Sequence, residues 1–219
     1  TYGEVHDITF LQFLNRLFDE HGEDTVGGDF YDLGCGVGKP MFLAALSNWR
    51  FERCVGVELL PGVLALGESL KGFIDPAITA YYSAVGRSDV ADVQSLERDI
   101  KQTVLPEQTR LVYLCSRVWG DEMMNAVRDD TLREVDRQRC LILTLKRPLP
   151  DVNIVSEFKM LFSWGATTCF MCRLPDADAD GERARGRRSR KEAAESSHAA
   201  PASKTKPLSE LEKLQEKLS

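Results

Sequence analysis

Residues 29–40 read Asp-Phe-Tyr-Asp32-Leu-Gly34-Cys35-Gly36-Val-Gly38-Lys39-Pro40. A short apolar run enters three glycines at alternate positions, and a proline then opens an apolar helical pattern. Glycine there lets the backbone turn sharply and approach a ligand closely. Pro40 stands in the first turn of the expected helix (residues 40–49), where its missing N–H costs nothing.

The flanking sequence repeats this alternation. Before the glycine turn, Asp7–His21 reads as an amphipathic helix with Gly22 as its cap: Ile8, Leu11, Leu14, Leu17 and Phe18 share one face. After it come a strand at 53–59, a helix at 62–73, a loop at 83–89 and a strand at 90–96. Residues 110–115 form a continuous apolar run, as expected of a strand buried on both faces. A helix at 120–136 and a buried strand at 139–145 follow. Residues 154–164 and 166–174 make a closing antiparallel pair around Gly165. The expected fold is therefore α/β: a doubly wound, mostly parallel seven-stranded sheet of the Rossmann-like type.

In such sheets the ligand sits at the carboxyl ends of the strands, against the glycine turn. The second strand ends at Glu58, where a carboxylate can accept hydrogen bonds from both ribose hydroxyls of a nucleoside. Asp32 can hold an ammonium group. The dinucleotide fingerprint spaces its glycines GxGxxG, whereas this chain has GxGxG followed by Lys39 and Pro40. That spacing favours S-adenosylmethionine over a nicotinamide cofactor.

The 219 residues, 43% of them hydrophobic, suffice for one substantial core. No apolar run reaches membrane-spanning length, and the start carries no signal-peptide pattern. The chain opens on Thr1 rather than Met, so it can be a fragment. The six cysteines suit buried, reduced thiols. Cys169 and Cys172 have metal or redox spacing, but on a strand they point to opposite faces. Neither a second pair nor the three scattered histidines complete a site, so no metal is expected. The net charge of −6 divides into −7 for the body and +1 from Pro175 onward. An acidic body is a poor nonspecific ligand for DNA.

Six segments, the glycine turn among them, carry a family resemblance. Thr1-Tyr2-Gly3-Glu4, Asp32 to Gly38, Val55-Gly56-Val57-Glu58, Leu96-Glu97-Arg98-Asp99-Ile100, Leu145-Lys146-Arg147-Pro148 and Ser163-Trp164-Gly165 to Phe170 occur in this order. Through them, from Thr1 to about Leu174, the chain resembles the non-SET histone lysine methyltransferases, the disruptor-of-telomeric-silencing or Dot1-like family. The resemblance implies an S-adenosylmethionine-dependent histone-lysine N-methyltransferase acting on histone H3 in nucleosomes, and so a nuclear chromatin regulator. It assigns cofactor binding to Tyr2, Gly3, Glu4, Val5, Asp32, Gly34, Cys35, Gly36, Gly38, Lys39, Glu58, Asp99 and Ile100. Asp99 would accept from the adenine amine, and Ile100 would cover the ring where the family has an aromatic.

The departures fall at the acceptor side. Leu114-Cys115-Ser116-Arg117-Val118-Trp119-Gly120 stands where the family carries two asparagines and then aromatics, and Val5 replaces a polar residue. The expected acceptor channel is Cys115, Ser116, Trp119 and Phe170, with Val5 beside them. A different protein substrate, or a module that binds the cofactor without turnover, are the competing readings.

Two domains are expected: a catalytic body over 1–174, and a disordered charged tail over 175–219 with a possible short helix at 208–219. The basic run from Arg183 to Lys191 is a candidate contact for nucleosomal DNA. Oligomeric state is not legible.

Overall fold

The computed structural model describes residues 4–21 and 27–176. The elements run α1 (Asp7–His21), β1 (Asp29–Leu33), α2 (Lys39–Ala45), β2 (Arg53–Glu58), α3 (Pro61–Ala84) and β3 (Asp92–Glu97). They continue through β4 (Thr109–Leu114), α4 (Asp121–Ala126), β5 (Leu141–Leu145), β6 (Asn153–Phe162) and β7 (Gly165–Arg173). The strands form one seven-stranded sheet in the order β3-β2-β1-β4-β5-β7-β6. Strands β3 to β5 are parallel, and β7 runs antiparallel between β5 and β6. The doubly wound sheet with its closing hairpin is as the sequence predicts. The calls on the tail, its helix and the basic run lie outside the described residues.

All five residues of β1 are buried, as in a central strand covered on both faces. Alternation along it feeds two separate cores. Phe30 joins Leu111 and Tyr113 of β4 beneath α1, α2 and α3. Tyr31 and Leu33 join Val112 and Leu114 beneath Met124, Val127 and Leu132. Cys169 and Cys172 fall in different cores, so they do face opposite sides.

Three boundaries differ from the sequence reading. α2 ends at Ala45, not at 49, because the Ser47 hydroxyl donates to the Ala44 carbonyl at 2.7 Å and turns the chain. Trp49 then swings under α1, donates its indole N–H to the Leu14 carbonyl at 2.7 Å and stacks on Phe51. α3 runs on through Pro76 to Ala84, since Ile74, Ile78 and Tyr82 extend its apolar stripe past the proline. The helix expected at 120–136 breaks after six residues into a wide turn at Val127–Thr131, which Thr131 ties to the Ile100 carbonyl.

The chain leaves β1 toward β2 and β3 on one side and later crosses to β4 on the other. The sheet's topological switch point therefore lies between β1 and β4, where a crevice opens at the strand ends.

Candidate active site

The crevice at that switch point is a cleft of about 190 Å³. It is lined by Glu4, Val5, Asp32, Gly34, Cys35, Gly36, Lys39, Pro40, Glu58, Tyr113, Cys115 and Trp119. The turn after β1 forms because Gly34, Gly36 and Gly38 take φ of 84°, 58° and 88°, which side chains rarely adopt. The amides of Gly34 and Cys35 both donate to the Val57 carbonyl, fixing the turn against β2.

Asp32 is the central feature. It is 1% exposed, and among the described residues neither of its carboxylate oxygens has a hydrogen-bond partner. Burial, and then the negative charge of Glu58, raise its pKa well above the usual carboxylate range. A buried carboxylate left unpaired in this way either keeps its proton or takes a cation beside it. Gly56 faces Asp32 from β2, and a Cβ there would fall inside contact distance of Met41 Sδ and Cys35 Sγ.

Glu58 is held in place from three directions. Its Oε2 accepts from Gly36 N–H at 3.1 Å, and its Oε1 accepts from Leu59 and Leu60 N–H at 2.9 and 3.1 Å. Asp99 and Ile100 follow the end of β3 at the same sheet edge, where Arg98 N–H donates to the Glu58 carbonyl. Asp99 caps a short turn by accepting from Lys101 N–H at 2.9 Å, and Ile100 packs on the second core.

The segment before α1 closes one wall. Glu4 N–H donates to Ser163 Oγ, Ser163 N–H donates to the Glu4 carbonyl, and Val5 pairs with Phe162 at the tip of β6. Lys39 Nζ then bridges Glu4 at 3.0 Å and Asp7 at 2.5 Å. Burial pulls the Lys39 ammonium down, but these two carboxylates outweigh it and leave it above its usual value. Its observed role is to tie α1 and Glu4 to the glycine turn.

Of the residues expected to hold the cofactor, Glu4, Val5, Asp32, Gly34, Cys35, Gly36, Lys39 and Glu58 meet at the cleft, while Gly38, Asp99 and Ile100 stand outside its lining. Tyr2 and Gly3 lie outside the described residues. Of the expected acceptor channel, Cys115 and Trp119 line the cleft and two residues do not. Ser116 is buried and bonded through its hydroxyl to both Leu145 N–H and the Leu145 carbonyl, stapling the end of β4 to β5. Phe170 packs against the second core, as Trp119 does, but does not reach the cleft lining.

Sequence reasoning missed Tyr113. It pairs in register with Asp32 across β1 and β4, lines the cleft, and rests its ring against Phe10 at 5.3 Å. Period-two alternation with Cys115 was the available signal. Burial lifts the Tyr113 phenol well above its usual value, with Cys115 and Asp32 adding to it. Burial and then Asp32 push the Cys115 thiol up to about 11. Tyr113 and Cys115 are thus uncharged at neutral pH. Near them, Arg117 lies over the Trp164 ring at 4.8 Å, and Arg147 braces the Trp119 carbonyl at 2.6 Å.

A buried unpaired acid, a second acid fixed at the neighbouring strand end and a close-packed glycine turn together fit S-adenosylmethionine. Its ammonium suits Asp32 and its ribose suits Glu58.

The profile of the family described as "Histone methylation protein DOT1" matches residues 1–160. No curated protein gives a significant match. Among solved structures, the fold is similar to the N-methyltransferase NodS from Bradyrhizobium japonicum, at 8% identity over 77% of this chain and 98% of that chain, with a TM-score of 0.52. It is also similar to magnesium protoporphyrin IX methyltransferase from Synechocystis with bound SAH, at 12% identity over 78% and 83%, with a TM-score of 0.51. A ribosomal RNA methyltransferase, aviRa from Streptomyces viridochromogenes, matches at 12% identity over 74% and 84%, with a TM-score of 0.50. At such identities the likeness is one of fold.

Proposed function

This chain belongs to the DOT1 histone methylation family, and from that premise we propose that its substrate is a lysine of histone H3 presented on the nucleosome. The chain is an S-adenosylmethionine-dependent methyltransferase with the fold of that class. The observation that carries the reading is the unpaired Asp32 carboxylate in the glycine-turn cleft, beside the uncharged Tyr113 and Cys115.

When bound, the cofactor supplies a sulfonium-activated methyl group for in-line displacement by an amine. The residues of the chain have three tasks. Asp32 holds the ammonium and Glu58 the ribose, so the methyl carbon is fixed in one place. Val5, Tyr113, Cys115 and Trp119 exclude water from the approach. Their low polarity disfavours a charged ammonium, so the incoming lysine gives up its proton to solvent as it enters, and attacks as the neutral amine. Neither cleft thiol is ionised at neutral pH, and a general base on the protein is not required.

Nuclear localisation belongs to the same proposal, as does DNA contact through Arg183 to Lys191. Radiolabelled methyl transfer to recombinant nucleosomes, beside free histones and an Asp32→Asn control, tests it. Label in nucleosomal H3 that is lost in the control supports the reading. Cofactor binding with no label in any histone refutes it.

A second reading, the same chemistry on a different protein, draws support from Arg117. It places a cation beside the acceptor wall, in the segment where the family's asparagines and aromatics are replaced. Transfer to non-histone proteins with no transfer to nucleosomes favours it.

A further inference from the structure

α3 exposes more apolar surface than any other helix among the described residues. Leu66 is 61% exposed, Leu70 43%, Phe73 81% and Tyr81 43%, and Leu59 and Leu60, just ahead of the helix, are about as open. Single exposed apolar residues are ordinary. These follow a rule: Val63, Leu66, Leu70, Phe73, Ala77 and Tyr81 are separated by steps of three and four. That is the seam of a helix-pairing repeat. At 3.6 residues per turn the six fall on a stripe about 80° wide.

This stripe is not the face that packs on the sheet, which carries Leu64, Gly67, Ile78 and Tyr82. The only charges on α3 are Glu68, Lys71 and Asp75. All three lie about 100° or more around the helix from Leu70, and Lys71 pairs with Asp75 at 3.2 Å.

We propose that α3 is the interface of a twofold dimer, occupied by α3 of a second copy running antiparallel with the axis near Leu70. Three observations select a second copy. First, a twofold interface must be self-complementary. The outer residues of the stripe are symmetric about Leu70, Val63 and Ala77 seven residues away and Leu59 and Tyr81 eleven, while the inner pair, Leu66 and Phe73, lies four residues before and three after it. Second, the two ends differ in shape. Leu59 and Leu60 protrude at one end, while Ile74, Ala77 and Tyr81 at the other border an apolar groove of about 240 Å³ reaching Leu11 and Leu46. In the antiparallel register each copy's protrusion meets the other's groove. Third, the exposed parts of these side chains sum to on the order of 700 Å² per copy, close to the ~800 Å² per partner of a stable interface. An uncharged stripe is also where an acidic chain can meet its own copy with least repulsion.

Sedimentation of the full chain over roughly 1–100 µM tests this by mass action. The expected species has twice the chain mass, and Leu70→Glu or Phe73→Glu returns it to one chain mass with an unchanged circular dichroism spectrum. Leu70→Cys, on the axis, is expected to form a disulfide-linked dimer under mild oxidation, because five of the six native cysteines are buried. A wild-type monomer throughout the range, undefined aggregates, or a dimer that survives both glutamate substitutions overturns the proposal.

Discussion

Asp32 of β1 and Tyr113 of β4 stand opposite each other in a parallel pair, and both line the cleft at the switch point of the sheet. The carboxylate has no partner among the described residues, and the phenol beside it stays protonated. The pairing therefore makes a buried acid that keeps its proton in the free protein and can give it up to face a bound cation.

Asp32 sets the first prediction. Its pKa in the folded protein is raised, so the fold binds its proton more tightly than the unfolded chain does. Its effect on the free protein is a loss of stability as pH rises from the unfolded value of about 3.9 through the raised one. Cofactor affinity moves the other way across the same window, because the ammonium needs the ionised carboxylate. Asp32→Asn is expected to weaken cofactor binding by about 2–4 kcal/mol, roughly 30- to 700-fold, while leaving the melting temperature of the free protein equal or higher. Calorimetric titration at several pH values, beside thermal melts, checks both. A dissociation constant within a few-fold of wild type would remove Asp32 from the site.

Gly56 gives a steric prediction. The space a Cβ would need is taken by Met41 and Cys35, which also support the glycine turn. Gly56→Ala should cost about 1–3 kcal/mol by overpacking, a fall of roughly 2–10 °C in melting temperature. Thermal unfolding reads this directly, and an unchanged melt contradicts it.

Ser116 separates structure from catalysis. Its hydroxyl satisfies Leu145 N–H at 3.0 Å inside the core. Ser116→Ala leaves that amide without its partner and should destabilise the fold by about 1–3 kcal/mol. Cofactor affinity should hold within about twofold. A variant that keeps its stability but loses methyl transfer would return Ser116 to the acceptor channel.

Cys115 supplies a pH test. It is the one partly exposed cysteine of the six, and its thiol titrates at about 11. The thiolate is the reactive form, so alkylation by iodoacetamide should be slow at neutral pH and rise about tenfold per pH unit toward that value. Mass spectrometry of the Cys115 peptide follows it. Rapid labelling near pH 7 would show an activated thiol and a different acceptor wall.

The strand, glycine turn, helix and second-strand acid were legible in the sequence because each rests on a local rule. Continuous apolar runs mark the buried strands, glycine marks positive φ, and the 3.6-residue period marks the extent of α1, although Ile8, expected on its apolar face, is exposed and Phe10 and Phe13 are buried with Leu14 and Leu17. The hairpin around Gly165 was legible for the same reason. Boundaries failed where side-chain bonding or burial overrode the backbone signals of helix length and proline. Ser47 and the burial of Trp49 shorten α2, and the continued stripe of Ile74, Ile78 and Tyr82 carries α3 past Pro76.

The sequence by itself determined that a glycine turn between Asp32 and Pro40, with Glu58 one strand away, builds a nucleoside cleft at the strand ends. Only the tertiary structure decided who else meets there. Tyr113 enters the site through the register of β4 against β1, Ser116 leaves it for Leu145, and Lys39 turns to Glu4 and Asp7. Those outcomes depend on which strands lie side by side and in what register, and that pairing is set by the burial of both sheet faces at once, not by any single segment.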